Sequence, residues 1–505
     1  MGEIRVLQIG NEDWNGIYQI PPEIRVDYTD CYVGASKRPY DIYFLDRLPQ
    51  DGEIDFIYKE ARAYTLFYTE KVRMEDVGTG SRAEWLFCCK KAKEIKTAEI
   101  GRFLKEEAFY YFSKPYGENY GIKTIAIAHG FKGSVKWEGN YSVILRGFFG
   151  EGFRQIAFWR GNLPMFQIYA MDFWLEYQKS PGVSIVMTVT KFANGSVSHV
   201  IGEWEFDEED LKEPVQIQGE GKAGWLFFSI SAKGEGELRI IALHNRVSRG
   251  SHGCFLPGGE RYAASNREEA FCYFEPGDLK PPLCVYFSGY KMVEGFEGYY
   301  MMKAFGSPFL LLAEPRLEGG GFYMGNAEYE QIFVDCIRKY MKELGFSADQ
   351  VILSGLSMGT FGALYYSCDI KPHAVILGKP LASIGEVAAN EKRHRPGGFP
   401  TSLDVLLCQC GGLDADAVER LNARLWKKFD AADWAHSKFA VTYMIEDDYE
   451  SSAYQTLIRH LKSVGAQVYG KGFHGRHNDN TGGIVNWFVT QYRKILREDF
   501  ARKIE

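Results

Sequence analysis

Long apolar runs are absent from this 505-residue chain, and their absence argues against two classes of protein. The first ten residues lack the apolar region of a signal peptide, and no run reaches the length of a membrane span. We therefore expect a cytoplasmic protein with no membrane-spanning helix.

The chain also has no excess of positive charge. The chain has 59 Lys and Arg against 66 Asp and Glu, its formal net charge is −7, and no basic stripe stands out. Surfaces that bind nucleic acids are built from clustered Lys and Arg. The sequence therefore argues against a nucleic-acid partner.

The ten cysteines lack the spacing that a metal site needs. The close pairs are Cys88-Cys89 and Cys408-x-Cys410, and neither has a second pair at zinc spacing. We expect reduced thiols and no bound metal. Gly10 ends the first apolar strand, but no G-x-G-x-x-G follows it. A scaffold or docking role is therefore favoured for this region, and no tightly bound cofactor is expected.

What the chain does have is a nucleophile elbow, G-x-S-x-G, at residues 355–359. An apolar strand precedes it and a helix rich in small residues follows, which is the context in which such a turn exposes its serine. We predict that Ser357 is a nucleophile and that the N–H of Met358 is an oxyanion donor. Gly289 and Tyr290 follow an earlier strand and are predicted to supply a second donor, with an ordinary turn as the alternative.

Acidic residues follow the serine where an α/β-hydrolase would place its acid. The apolar strand at 439–445 ends in Glu446, Asp447 and Asp448. We predict Glu446 as the acid because it lies nearest the end of the strand. Asp447 is the strongest alternative, and Asp448 is the third.

A glycine-rich loop after the last strand carries two histidines, His474 and His477. We predict that His477 is the base because it lies immediately before the segment that leads into the final helix. His474 comes directly after the strand, and it is the alternative. The order serine, acid, histidine is stronger support for a triad than any one member.

Three regions of the chain differ in pattern. Residues 1–118 alternate strands with helices and predict an N-terminal α/β scaffold domain. Residues 119–256 carry short, evenly spaced strands and predict a β-sandwich of the jelly-roll, carbohydrate-binding-like kind. Residues 257–505 alternate apolar strands with helices and predict an α/β-hydrolase catalytic domain. Candidate sugar-stacking residues in the middle region, for which core packing is the commoner role, are Trp137, Trp159, Trp174 and Trp204.

Four segments of the chain resemble one family, the second accessory secretory proteins of the accessory Sec system, which exports serine-rich-repeat adhesins. These segments are residues 6–14, 354–359, 395–402 and 475–481. The resemblance implies a hetero-complex with two sister accessory proteins and contact with a SecA-type ATPase at the membrane. It also implies O-acetylation of N-acetylglucosamine on the glycosylated adhesin. The family's serine–glutamate–histidine triad carries over to Ser357, Glu446 and His477.

The resemblance favours acyl transfer over hydrolysis, a choice that the triad alone leaves open. The same groups serve an esterase, a peptidase or an acyltransferase. No coenzyme A fingerprint is visible, so acetyl-CoA is inferred only as a candidate co-substrate. The alternatives are a carbohydrate acetyl-esterase and a non-catalytic export scaffold. An intact, ordered triad argues against the scaffold.

Overall fold

Three large β-sheets follow one another along the chain in the computed structural model. The structure describes residues 3–34, 38–73, 75, 77–112, 117–165, 167–463 and 466–503. Within those ranges, no helix combines the length and the apolar character that a membrane crossing requires.

The N-terminal sheet is parallel and has five strands. Its elements are β1 Ile4–Ile9, β2 Ile24–Thr29, β3 Ile42–Leu45, α1 Asp51–Glu60, β4 Leu66–Thr69, α2 Arg82–Lys90, β5 Lys93–Ile95 and α3 Ile100–Arg102. The strand order is β2-β1-β3-β4-β5. Alternate strand residues point to opposite faces, and α1 and α2 cover one face. The other face, with Val6 and Phe44, is buried against the middle region.

The middle region is entirely antiparallel. Its strands are β6 Gly117–Gly121, β7 Ile125–Ile127, β8 Ser134–Glu138, β9 Ser142–Trp159, β10 Leu163–Met165, β11 Met171–Lys179, β12 Val183–Ala193, β13 Val200–Phe206, β14 Val215–Ile217 and β15 Gly224–Val247. The long strand β15 pairs with five others. The core of the middle region is continuous with that of the N-terminal sheet. The predicted division near residue 118 therefore separates two sheets that share one core.

The four tryptophans of the middle region have different environments. Trp159 and Trp174 are buried, and their indole N–H groups donate to the carbonyls of Tyr120 and Arg267. Trp204 packs against the core, whereas Trp137 is about half exposed. The carbohydrate-binding role of this region stays a prediction, and Trp137 is the one of the four that is open to a sugar.

The C-terminal sheet has eight strands and carries most of the helices. Its elements, with a small hairpin before them, are β16 Gly253–Cys254, β17 Leu256–Pro257, β18 Glu260–Ala263, β19 Glu269–Glu275, β20 Leu283–Phe287, α4 Tyr299–Lys303, β21 Phe309–Ala313, α5 Ala327–Leu344, β22 Val351–Leu356, α6 Met358–Ile370, β23 Ala374–Gly378, α7 Ile384–Arg393, α8 Thr401–Cys410, α9 Ala415–Asp430, β24 Lys438–Met444, α10 Ala453–Ser463, β25 Gln467–Phe473 and α11 Thr481–Phe500.

The strand order in this sheet is that of an α/β-hydrolase. It runs β18-β19-β21-β20-β22-β23-β24-β25. Every pairing from β21 to β25 is parallel, and β19 runs antiparallel to both of its neighbours. Separate apolar cores cover the two faces. The predicted α/β class with a hydrolase-type domain is therefore confirmed, and the carboxyl ends of β20 and β22 to β25 lie along one edge.

A buried ionic cluster joins the middle region to this sheet. His244 on β15 lies with Nδ1 2.6 Å from Glu294 Oε1 and Nε2 3.3 Å from Glu176 Oε2. Arg246, two residues on, donates to Glu294 and to Glu269 on β19. Only an imidazolium can donate from both ring nitrogens, so His244 is protonated when Glu176 and Glu294 are both ionised.

The stability of the protein should fall in alkaline solution because of His244. Burial opposes its charge, but the negative charge of Glu294 and hydrogen bonds to Glu176 and Glu294 outweigh burial and raise the pKa of His244 to about 9. The contribution of His244 to the free energy of unfolding is fully present below its unfolded pKa of 6.5. This contribution is lost as pH rises through about 9. The contribution is about 3–4 kcal/mol at most, at about 1.4 kcal/mol per unit of pKa.

This expectation is tested by comparing the free energy of unfolding of the wild type and His244→Gln across that pH range. The difference between the two proteins should shrink as pH rises. His129→Gln, at an exposed position, is the matched control. A difference that stays constant with pH would show that His244 is not charged in the folded protein.

Candidate active site

Ser357 occupies a strained turn between β22 and α6. Its backbone has φ 51° and ψ −120°, a conformation that favours glycine and costs about 1–3 kcal/mol for other residues. The Ser357 N–H donates to the carbonyl of Gly378 on the neighbouring strand at 2.8 Å, which holds the turn. A Cβ on Gly359 would lie 2.1 Å from the carbonyl oxygen of Phe287. The close approach of α6 to β20 therefore requires glycine there.

His477 and Asp447 complete a hydrogen-bonded chain with Ser357. Ser357 Oγ lies 2.8 Å from His477 Nε2, and His477 Nδ1 lies 2.8 Å from Asp447 Oδ2. The other oxygen, Asp447 Oδ1, accepts the N–H groups of Tyr449 and Glu450. His477 is only 2% exposed, so the interaction is shielded from water. The arrangement can remove a proton from the serine hydroxyl.

The prediction that Glu446 orients the histidine is wrong in this structure. Glu446 Oε1 lies 2.9 Å from His474 Nδ1, and its Oε2 accepts the Gly475 N–H at 2.6 Å. Both partners in this hydrogen bond are exposed, His474 by 85% of its side chain and Glu446 by 52%. The chain turns after β24, and successive residues of the turn point in different directions. Proximity to the strand end therefore does not identify the residue that faces His477.

Asp448 supports His477 from a second direction. Its Oδ1 accepts the His477 N–H at 3.0 Å, and its Oδ2 accepts from Arg395 Nε at 3.0 Å. Burial alone would raise the pKa of Asp448, but the His477 amide and the Arg395 charge outweigh it and lower that pKa. Asp448 is therefore an anion that holds the backbone of the histidine loop.

An aromatic stack covers the imidazole of His477. Tyr449 lies parallel to it, with ring centroids 4.1 Å apart and planes at 13°. The Arg395 guanidinium lies 3.7 Å from the centre of the Tyr449 ring, and Phe399 stacks on the same tyrosine. The sequence analysis does not predict these contacts, although segment 395–402 is one of the four that resemble the family. The stack fixes the plane of the ring that must carry the proton.

The predicted oxyanion donors differ in whether their N–H groups already have an acceptor within the protein. Met358 provides the first N–H of α6, and amides of a first helical turn have no carbonyl acceptor within their own helix. The Gly289 N–H donates to Glu297 Oε2 at 2.6 Å, which contradicts its prediction as a free donor. Tyr290, the next residue, lines the same cavity, and its amide stays a predicted donor.

A cavity of about 550 Å³ lies over the serine. Its size is within the range of small-molecule sites. An acidic and a basic side chain line it, Glu297 and Lys379. Across the described part of the chain, no group of three or more His, Cys, Asp or Glu side chains could hold a metal ion. The remaining lining residues are Gly289, Tyr290, Leu356, Ser357, Gly398, Phe399, Pro400, Tyr449, Asn478, Thr481, Ile484 and Val485.

Comparison with known proteins gives matches over nearly the whole chain. The family model described as accessory Sec system GspB-transporter matches residues 4–502. The accessory secretory protein 2 of Streptococcus gordonii is 34% identical, over 99% of this chain and 99% of that protein. Its counterpart in Staphylococcus aureus is 35% identical, over 99% of this chain and 98% of that protein.

A solved structure has the same overall fold. A chain of the glycosylation associate protein (Gap123) complex from Streptococcus agalactiae superposes with a TM-score of 0.88 and is 34% identical. The match covers 99% of this chain and 100% of that chain. On the full-length family match and the identity of these relatives, the chain belongs to the accessory Sec system GspB-transporter family, that of accessory secretory protein 2.

Proposed function

We propose that this protein is a serine-dependent O-acetyltransferase of the accessory Sec system. The observation that carries the proposal is the continuous chain from Asp447 through His477 to Ser357 beneath a cavity. The catalytic residues are then Ser357, His477 and Asp447, with Asp447 in place of the Glu446 that the family resemblance implied. Membership of the family supports the export context.

Acylation of the serine would be the first step. His477 Nε2 accepts the proton of Ser357 Oγ as that oxygen attacks the acetyl carbonyl of the donor. The developing oxyanion is stabilised by the Met358 N–H, with Tyr290 as the second proposed donor. Asp447 keeps the proton of His477 on Nδ1 and stabilises the imidazolium. His477 then gives its proton to the leaving group, which leaves an acetyl ester on Ser357.

Deacylation decides between transfer and hydrolysis. In transfer, His477 Nε2 takes a proton from a sugar hydroxyl as the hydroxyl oxygen attacks the acetyl ester. His477 then returns this proton to Ser357 Oγ as the ester bond to Ser357 breaks. In hydrolysis, water takes the place of the sugar, which would make the protein a carbohydrate acetyl-esterase. The cavity is large enough to hold a sugar ring above the serine.

The proposed acceptor is N-acetylglucosamine on a serine-rich-repeat adhesin, with acetyl-CoA as a candidate donor. The family match supports a place in the accessory Sec system. The partners proposed there are two sister accessory proteins, a SecA-type ATPase and the adhesin, in the cytoplasm at the membrane. The match to a chain of the Gap123 complex supports the hetero-complex in particular.

Mass spectrometry of the adhesin's glycans tests the proposal. Cells with wild-type protein should give N-acetylglucosamine carrying one additional acetyl group, and cells with His477→Ala should lack it. His474→Ala is the matched control, since that side chain is exposed and does not reach Ser357. Equal acetylation in all three strains would refute the proposal. Release of free acetate from an acetylated adhesin would favour the esterase.

A further inference from the structure

Lys379 lies in the catalytic cavity, and the triad does not use it. It follows directly after β23, whose last residue, Gly378, accepts the N–H of Ser357. The Lys379 side chain is only 6% exposed. Its backbone has φ 57°, a left-handed conformation that is unfavourable for a residue with a side chain. Backbone strain and the burial of a charged group both reduce the stability of the folded protein. Residues with such features cluster at functional sites.

The Lys379 ammonium has a hydrogen bond but no ion pair among the described residues. Its Nζ donates to Thr481 Oγ1 at 3.0 Å, and among the described residues no carboxylate lies within ion-pair distance. An ammonium has three N–H groups, and Thr481 accepts from one of them. Burial lowers the pKa of Lys379, and the charges of Asp447 and Asp479 oppose that effect. Because Lys379 lines the cavity, its ammonium can donate to a ligand oxygen there in addition to Thr481.

Glu297 gives the same cavity a negative charge. Its Oε2 accepts the Gly289 N–H, which fixes the carboxylate at the turn after β20. One positive and one negative group do not favour an anionic ligand such as a phosphate, which recruits several cations and repels a carboxylate. They match a neutral ligand with both hydroxyl donors and oxygen acceptors. A sugar has this character.

We propose that Lys379 is an acceptor-binding residue that donates to a hydroxyl or carbonyl oxygen of the sugar to be acylated. Glu297, in the same cavity, accepts from a sugar hydroxyl. The pair selects a polyhydroxylated acceptor over a simple alcohol. This inference rests on the proposed acetyltransferase function, because that function supplies the reaction. Binding of the sugar can nevertheless be measured without turnover.

Two measurements on the full-length chain test the inference. The first is binding of methyl N-acetylglucosaminide, followed by ligand-detected NMR, to Ser357→Ala with and without Lys379→Met. The second compares wild type with Lys379→Met in two quantities. These are the KM for this sugar in acetyl transfer from p-nitrophenyl acetate, and the rate of acyl-enzyme formation from that ester without the sugar. Loss of a hydrogen bond from a charged group should weaken sugar binding by about tenfold or more.

Two further variants separate function from folding. Lys379→Gly should also lose sugar affinity, yet it should melt at a higher temperature because glycine tolerates φ 57°. Lys371→Met is the matched control, since Lys371 also has a positive φ, 53°, but is exposed after α6. It should leave sugar affinity unchanged.

The outcomes distinguish this inference from the proposed function. Sugar binding that depends on Lys379 without any acyl transfer would support the inference and refute the acetyltransferase. Acyl transfer with the same sugar KM in wild type, Lys379→Met and Lys379→Gly would overturn the inference alone. Equal losses in acyl-enzyme formation and in sugar transfer would also overturn it, because Lys379 would then position Ser357 instead.

Discussion

Ser357→Ala should lower kcat for acyl transfer by about three to six orders of magnitude and leave the protein folded. The Oγ is the atom that forms the acetyl ester, and nothing else in the hydrogen-bonded chain can replace it. The side chain contributes little to packing, because it points into the cavity. The check is intact-protein mass spectrometry after mixing with p-nitrophenyl acetate. Wild type should gain one acetyl group, and Ser357→Ala should gain none.

Ser357→Gly separates catalysis from stability at the same position. It should be as inactive as the alanine variant, yet its midpoint of thermal unfolding should be higher. Glycine adopts φ 51° and ψ −120° without the steric cost that serine carries there. The gain in stability is about 1 kcal/mol at this strained turn. A lower midpoint than wild type would mean that the turn is not strained, and residual acylation would mean that Ser357 is not the nucleophile.

The parts of the site that sequence could predict are those set by local pattern. The strand, tight turn and helix around Ser357 are consecutive in the chain, and the alternation of apolar strands with helices predicts the parallel sheet. Because carboxyl ends of parallel strands meet at one edge, a serine and a histidine that follow such strands converge. The structure brings Ser357 and His477 to 2.8 Å.

The parts that sequence missed depend on side-chain direction and on distant loops. Glu446 and Asp447 are adjacent, and only the path of the turn decides which faces His477. The Arg395–Tyr449 stack joins residues 54 positions apart, and no local period indicates it. Lys379 follows an ordinary apolar strand, and its role becomes visible only when the cavity and its left-handed backbone are known.

The amide variants of the two neighbouring acids give the sharpest test of the triad. Asp447→Asn should lower kcat by about four orders of magnitude, the scale found when a triad aspartate becomes asparagine. Asp447 Oδ1 accepts two backbone N–H groups, from Tyr449 and Glu450. The asparagine must keep its oxygen there, so its NH₂ group faces His477 Nδ1. His477 would then carry its proton on Nε2 and could not accept the proton of Ser357.

Glu446→Gln is the matched control for Asp447→Asn, because it makes the same chemical change one residue away. Glu446 is exposed, and it bonds only the His474 loop. Its amide variant should stay within about twofold of wild-type kcat, as expected for a surface substitution away from the site. Steady-state kinetics and single-turnover acylation of both variants make the comparison. If Glu446→Gln lost more activity than Asp447→Asn, the acid of the triad would be Glu446, and the contact between Asp447 and His477 would be structural only.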